Sequence, residues 1–244
     1  MIKKINLTEE LTPFGGTVFG CRILSTAEAY GLEEPFAQFW VQENHAAICK
    51  LDDAVTLEAD DTADFEELLD LIRMTGAKRL LCGAAAAQRL GLPEAVSGEV
   101  MVYRNNKELI PGADYELNPS LRELYALLCD CATETFIPPE FEPFYMDLSH
   151  RIRHKAAMAV GVRAGGILIS CAVCTALTAD RAVVSSVAVK PEIQRKGYGR
   201  AALAALILQL RQKEIYILRA RNENEEFYRS LGFEPVGGFS ELIL

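Results

Sequence analysis

The chain has 244 residues, half of them hydrophobic and 24% charged, with a formal net charge of −9 and a pI near 5.0. That composition belongs to a folded globular protein, long enough for one large domain or two of about 120 residues each. The acidity excludes general nucleic-acid binding, which needs a basic face, and no apolar run approaches the roughly 18 residues of a membrane helix.

In chain order, the opening MIKKINLTEELTPFGG lacks the apolar stretch of a signal peptide, so a cytoplasmic protein is expected. Strand patterning marks 37–42, 45–51 and 54–59. A helix is expected over 65–76, a strand over 78–83, a helix over 84–91 and a strand over 98–104. Between the third strand and the first helix lies Asp60-Asp61-Thr62-Ala63-Asp64, within a stretch (51–70) of nine Asp or Glu and no Lys or Arg. Asp61 or Thr62 is read as the N-cap of the helix.

In the second half, helical spacing covers 121–136 and 143–154. Strand-like runs follow at 156–162, 167–177 and 181–189, separated by Arg163-Ala164-Gly165-Gly166 and Thr178-Ala179-Asp180. After Gln194-Arg195-Lys196-Gly197-Tyr198-Gly199, the residues Leu203, Leu206, Ile207 and Leu210 give an amphipathic helix. A strand at 215–220, a short helix at 224–231 with Gly232 as its C′ residue, and an extended tail complete the chain. Residues 1–118 carry a net charge of −10 and residues 119–244 a net of +1, which suggests two modules with that boundary. Read as element types, the first half repeats the order found from Ala156 onward.

Residues 194–199 carry the functional argument. Glycines at a helix start permit a tight turn and a close backbone approach. The first amides of a helix lack internal partners and lie at the positive end of its dipole, which makes a seat for a phosphate. Arg195, Lys196 and Arg200 add charge of the right sign.

The run VVSSVAVKPEIQRKGYGRAALAALI, followed by NENEEFYRSLGFEPV, resembles the GNAT superfamily of N-acetyltransferases, whose acyl-CoA loop has the pattern Q/R-x-x-G-x-G/A. The resemblance covers 120–244 and implies an acyl-CoA N-acyltransferase fold: a mixed, mainly antiparallel sheet with flanking helices, here in two tandem GNAT-like halves. It implies acetyl-CoA as co-substrate in a V-shaped cleft, with the pantetheine arm along the backbone of Val187, Ala188 and Val189. The pyrophosphate would lie on the amides of Gln194, Arg195, Lys196, Gly197, Tyr198 and Gly199, with the side chains of Arg195, Lys196 and Arg200 around it. Asn222 or Asn224 would add a cofactor contact, and Tyr228 would give its proton to the departing thiolate. A backbone N–H near Val189 would polarise the acetyl carbonyl.

The expected reaction is direct acetyl transfer to a primary amine of a small molecule or peptide, in a monomer or homodimer, without metal. A non-catalytic acyl-CoA-binding module is the alternative. The strand 183–189 has no acidic residue to act as base, which leaves Glu134, Glu140, Glu142 and Asp147 as unranked candidates. The acidic junction of the first half would repel a pyrophosphate, so one cofactor per chain is expected. Its acidic face would serve solubility or the steering of a cationic acceptor.

The seven cysteines read as reduced, buried apolar residues. Cys171 and Cys174 share a strand and, three apart, point to opposite faces. His150 and His154 could share a helix face without a third ligand.

Overall fold

The computed structural model describes residues 1–104, 109–133 and 136–244. Its elements run β1 (Ile2–Lys4), α1 (Val18–Tyr30), β2 (Ala37–Gln42), β3 (Ala46–Leu51), β4 (Ala54–Ala59), α2 (Phe65–Met74), β5 (Arg79–Gly83), α3 (Ala84–Leu90) and β6 (Glu94–Tyr103) in the first half. They continue as β7 (Tyr115–Leu117), α4 (Leu121–Asp130), α5 (Phe141–Arg153), β8 (Met158–Ala164), β9 (Ile167–Leu177), β10 (Arg181–Val189), α6 (Tyr198–Gln209), β11 (Glu214–Ala220), α7 (Glu225–Leu231) and β12 (Phe233–Ile243). This is the mixed, mainly antiparallel sheet with flanking helices that the sequence implied.

The chain divides into two compact units. The first contains Met1–Val102, Tyr216–Arg229 and Glu234–Leu244; the second contains Tyr103–Ile215 and Ser230–Phe233. The end of the chain therefore helps to build the unit in which the chain begins.

In the first unit the strands lie in the order β1-β2-β3-β4-β5-β12-β6-β11. β4 and β5 are parallel, from Ala54 opposite Arg79 to Thr56 opposite Leu81. β12 pairs antiparallel with β5, from Phe239 opposite Gly83 to Ile243 opposite Arg79. Period-two alternation along β3 sends Ile48 into a core formed with Leu57, Leu68, Ile72, Leu80 and Leu242. It sends Ala47 and Cys49 into a second core with Leu11, Ile23, Phe39 and Val41. Both faces of the strand are buried, which is why it reads as a nearly unbroken apolar run.

The sequence reading missed α1. Its segment VFGCRILSTAEAY carries a glycine in the first turn and branched residues that weaken local propensity. Packing explains both. A Cβ on Gly20 would lie 1.7 Å from the Phe14 carbonyl oxygen, so only glycine lets the preceding 3-10 segment (Thr8–Phe14) close onto the helix. Thr17 caps α1 by accepting a hydrogen bond from the Gly20 amide at 3.0 Å, and it donates to Glu58 on β4 at 2.6 Å.

In the second unit the strand order is β10-β9-β8-β7. Leu124, Leu127 and Leu128 of α4 and Leu148 of α5 pack on Ala159, Cys171, Val173 and Ala188. From Ala201 to Ile207 every residue of α6 is buried, so the helix is covered all round rather than on the single face that the spacing of Leu203, Leu206, Ile207 and Leu210 implied, and it packs against β8, β9 and β10. The expected helix over 121–136 ends at Asp130. The strand 156–162 is found at Met158–Ala164 because Ala156 and Ala157 still belong to the turn that closes α5, where the Ala156 amide donates to the Arg151 carbonyl.

Candidate functional site

β10 is irregular where the sequence placed the cofactor strand. Val184 faces Cys174 and Ser186 faces Val173, so Ser185 is left over as a bulge, and its hydroxyl meets that of Thr175. Bulges re-aim the backbone beside them. Beyond it, Val187, Ala188 and Val189 pair with Ala172, Cys171 and Ser170 of β9.

The strand is tied to the helix after it. Ser170, fully buried, places its hydroxyl 2.9 Å from the Ala188 carbonyl and 3.2 Å from the Tyr198 carbonyl. The Gln194 side chain donates through Nε2 back to the Val189 carbonyl at 3.3 Å, and the Cys131 thiol reaches the same oxygen at 3.2 Å. Arg195, Lys196 and Gly197 are exposed. Gly197 is the N-cap of α6 with φ 89°, and no side chain caps the helix. Nothing lies within 4 Å of where its Cβ would be. Arg195 is also left-handed, with φ 63°. No side chain therefore occupies the first amides of α6, and two exposed cations directly precede them, which is the kind of helix start that suits a phosphate. Arg200, one turn into the helix, points its guanidinium at Ser230, 3.3 Å from the carbonyl and 3.5 Å from the hydroxyl.

Asn222, Asn224 and Tyr228 belong to the first unit. Asn222 (φ 64°) and Asn224 (φ 51°) are both left-handed, in the turn that leads into α7. The Tyr228 amide donates to the Asn224 carbonyl at 3.2 Å. Tyr228 is half-buried and its ring meets Phe227 edge-on at 5.0 Å. Burial pushes its phenol up to about 12; Glu223 adds to the rise and Arg219 opposes it. The phenol therefore holds its proton across the whole neutral range, as a proton donor must.

Of the candidate bases, Glu140 stands at the N-cap of α5 and Glu142 in its first turn. Asp147 accepts a 2.7 Å hydrogen bond from the buried Arg151. Glu134 lies outside the described residues.

Three roles were not foreseen from the sequence. Ser170 is one of two hydroxyl residues, with Thr175, in the apolar run of β9, and its full burial there is what makes it need partners. Cys131 is half-buried, with its thiol on β10, and Cys129 is exposed, which corrects the reading of every cysteine as buried; both sit at the exposed end of α4. The N-cap of α2 is Asp64, not Asp61 or Thr62, and its carboxylate accepts from the amides of Glu66 and Glu67. Thr62 is used instead in a turn with Asp60, whose carboxylate accepts from the Thr62 amide at 2.8 Å. His150 and His154 stack at 4.1 Å. Among the described residues, no group of three or more His, Cys, Asp or Glu could hold a metal, and no helix is long and apolar enough to cross a membrane.

Residues 121–233 match the model of the Acetyltransferase (GNAT) family. This stretch is a GNAT domain. Solved structures extend the likeness over the whole chain. A Drosophila protein aligns at a TM-score of 0.69 and 13% identity, covering 100% of this chain and 98% of its own. A GCN5-related N-acetyltransferase from Sphaerobacter thermophilus aligns at 0.62 and 12%, covering 100% and 95%. A tandem GNAT protein from the clavulanic acid biosynthesis pathway aligns at 0.61 and 12%, covering 100% and 98%. At these identities the likeness is one of fold, and the fold is that of GNAT proteins. No curated protein sequence matches the chain.

Proposed function

We propose that this chain is a cytoplasmic, acetyl-CoA-dependent N-acetyltransferase acting on a primary amine of a small molecule or peptide. It comprises an acidic GNAT-like half (1–118) and a cofactor-binding GNAT half (119–244). The observation that carries this reading is the uncapped, glycine-led start of α6 directly after Arg195 and Lys196.

Acetyl-CoA supplies the thioester whose acetyl group is transferred. The amides of 194–199 hold its pyrophosphate, helped by Arg195, Lys196 and Arg200, and the backbone of Val187, Ala188 and Val189 aligns the pantetheine arm. Asn222 or Asn224 adds a contact to the cofactor from the turn before α7. An amide near Val189 faces the thioester carbonyl and stabilises developing negative charge there. Tyr228 gives its proton to the thiolate of the leaving group. A free thiol has a pKa near 8.5, so the phenol donates only as charge builds on the sulfur and then regains its proton from solvent. The amine attacks directly in its unprotonated form, without an acyl-enzyme, and the proton it loses as the amide forms passes to solvent.

The test is binding followed by turnover. Acetyl-CoA at 100 times its Kd stabilises the folded chain by about 2.7 kcal/mol, with one site per chain. Amine-dependent release of CoA then separates an enzyme from a binding module. Replacing Tyr228→Phe lowers kcat by about 10²-fold with little change in acetyl-CoA affinity. Absence of any thermal shift would remove both readings.

A further inference from the structure

We infer that Arg219 is a positioning residue for Tyr228, holding the turn between β11 and α7 in the shape that sets the phenol. The inference takes the chemical role of Tyr228 from the reading above, while the clamp itself rests on the contacts of Arg219.

Arg219 is only 5% exposed, an unusual burial for a cation unless it is paired. On β11 it stands opposite Glu99 of β6. Nη2 donates to Glu99 Oε2 at 2.6 Å and lies 3.5 Å from Glu225 Oε2. Nη1 donates to the carbonyls of Ala220 at 3.3 Å and Glu223 at 3.2 Å. One planar guanidinium thus joins a neighbouring strand, two carbonyls of the turn and the first residue of α7.

The turn needs such a hold. Two of its residues, Asn222 and Asn224, are left-handed, a conformation that asparagine tolerates best among residues other than glycine yet still adopts at some cost. The Glu223 amide closes on the Ala220 carbonyl at 3.2 Å, and α7 then begins from Asn224. Tyr228 lies one turn later, within the electrostatic reach of both Arg219 and Glu223. Arg219 Nε is buried without an acceptor. A guanidinium kept in place with one donor unsatisfied is held for the geometry of its other donors. A lysine has the charge and not the planar fork.

The test compares wild type, Arg219→Lys, Tyr228→Phe and the double variant. In Arg219→Lys, amide hydrogen exchange across 221–228 rises at least tenfold while the paired β6 and β11 amides keep their protection. Unchanged exchange in 221–228 overturns the clamp. With an accepted amine, Arg219→Lys lowers kcat about tenfold and leaves the KM for acetyl-CoA within twofold. The double variant is no slower than Tyr228→Phe alone; losses that multiply overturn the link to Tyr228. If Arg219→Lys does not fold, Glu225→Gln weakens one contact of the same clamp and gives a smaller change of the same kind, and its failure to do so counts against the clamp. If the wild type turns over no amine, the enzyme reading fails, and the exchange data still decide whether Arg219 holds the turn.

Discussion

At the end of β4, Asp64 turns its carboxylate onto the first amides of α2; at the end of β10, Gly197 opens α6 with no side chain on its amides. Each junction joins a strand to a helix in its own unit, and each leaves the same helix-start donors to be satisfied. The first satisfies them from within. Asp60 binds the Thr62 amide, and Gln42 holds Asp64 through both its amide and its carbonyl, at 2.7 and 3.1 Å. The second leaves them without a side-chain partner, directly after Arg195 and Lys196, and on the proposed reading a phosphate takes the place that Asp64 fills at the first. The contrast teaches that one strand-to-helix junction can be closed by its own side chains or left open by a glycine.

Several changes break or sharpen this contrast. The largest follows from deleting residues 233–244. That removes β12 from between β5 and β6, together with Leu242 from the core of the first unit, so circular dichroism and proteolysis will show that unit unfolded. Next, Gly197→Asp makes the second junction resemble the first. It puts a carboxylate at the phosphate seat, and it costs about 1–2 kcal/mol at a left-handed position. Acetyl-CoA affinity falls at least 100-fold by calorimetry while the fold persists.

Asp64→Ala probes the first junction. Loss of the cap costs about 1 kcal/mol, or roughly 2–4 °C in Tm for a chain of this size. Stoichiometry stays at one acetyl-CoA per chain, because the remaining carboxylates still repel a pyrophosphate. Two sites in this variant would show that Asp64 alone closes the first seat. Arg195→Ala has the smallest effect, a few-fold weaker binding together with a shallower salt dependence.

Proton supply gives a check by pH. The folded-state pKa of Tyr228 is raised to about 12, so its protonated form is present throughout the range below that value. Turnover therefore shows no alkaline fall from Tyr228 between pH 7 and about pH 10. The raised value also means that stability linked to the neutral phenol is complete below its unfolded pKa near 10 and is lost as pH climbs towards 12. Glu58 contrasts with it. Burial raises its carboxyl, Thr17 draws it down and Asp60 adds to the rise, so its stabilising contribution is complete below the unfolded value near 4.3 and is lost as pH rises through the raised folded value. Glu58→Gln keeps or raises Tm at pH 7 and loses that advantage in acid.

Much of the second unit was legible in the residues. The ranges 167–177 and 181–189 match β9 and β10, because long apolar runs between glycine and Asp turns leave little choice of structure. The glycine loop was legible for the same reason: positive φ at a helix start is a backbone requirement that glycine meets directly. The roles of Ser170 and Cys131 were hidden, since each depends on a strand or helix 18 to 58 residues away. α1 was hidden because Gly20 weakens a local helix and is explained only by the Phe14 carbonyl beside it.

By itself, the sequence determined most of the element types, the glycine start of α6 and the acidic character of the other junction, since all of these are set by residues adjacent along the chain. Only the tertiary structure decided that β11, most of α7 and most of β12 belong to the unit of the first hundred residues, and that Asp64 rather than Asp61 or Thr62 closes α2. It also decided that Arg219 is buried against Glu99. Pairing between distant strands and burial of a charge depend on which surfaces meet, and no local propensity encodes that.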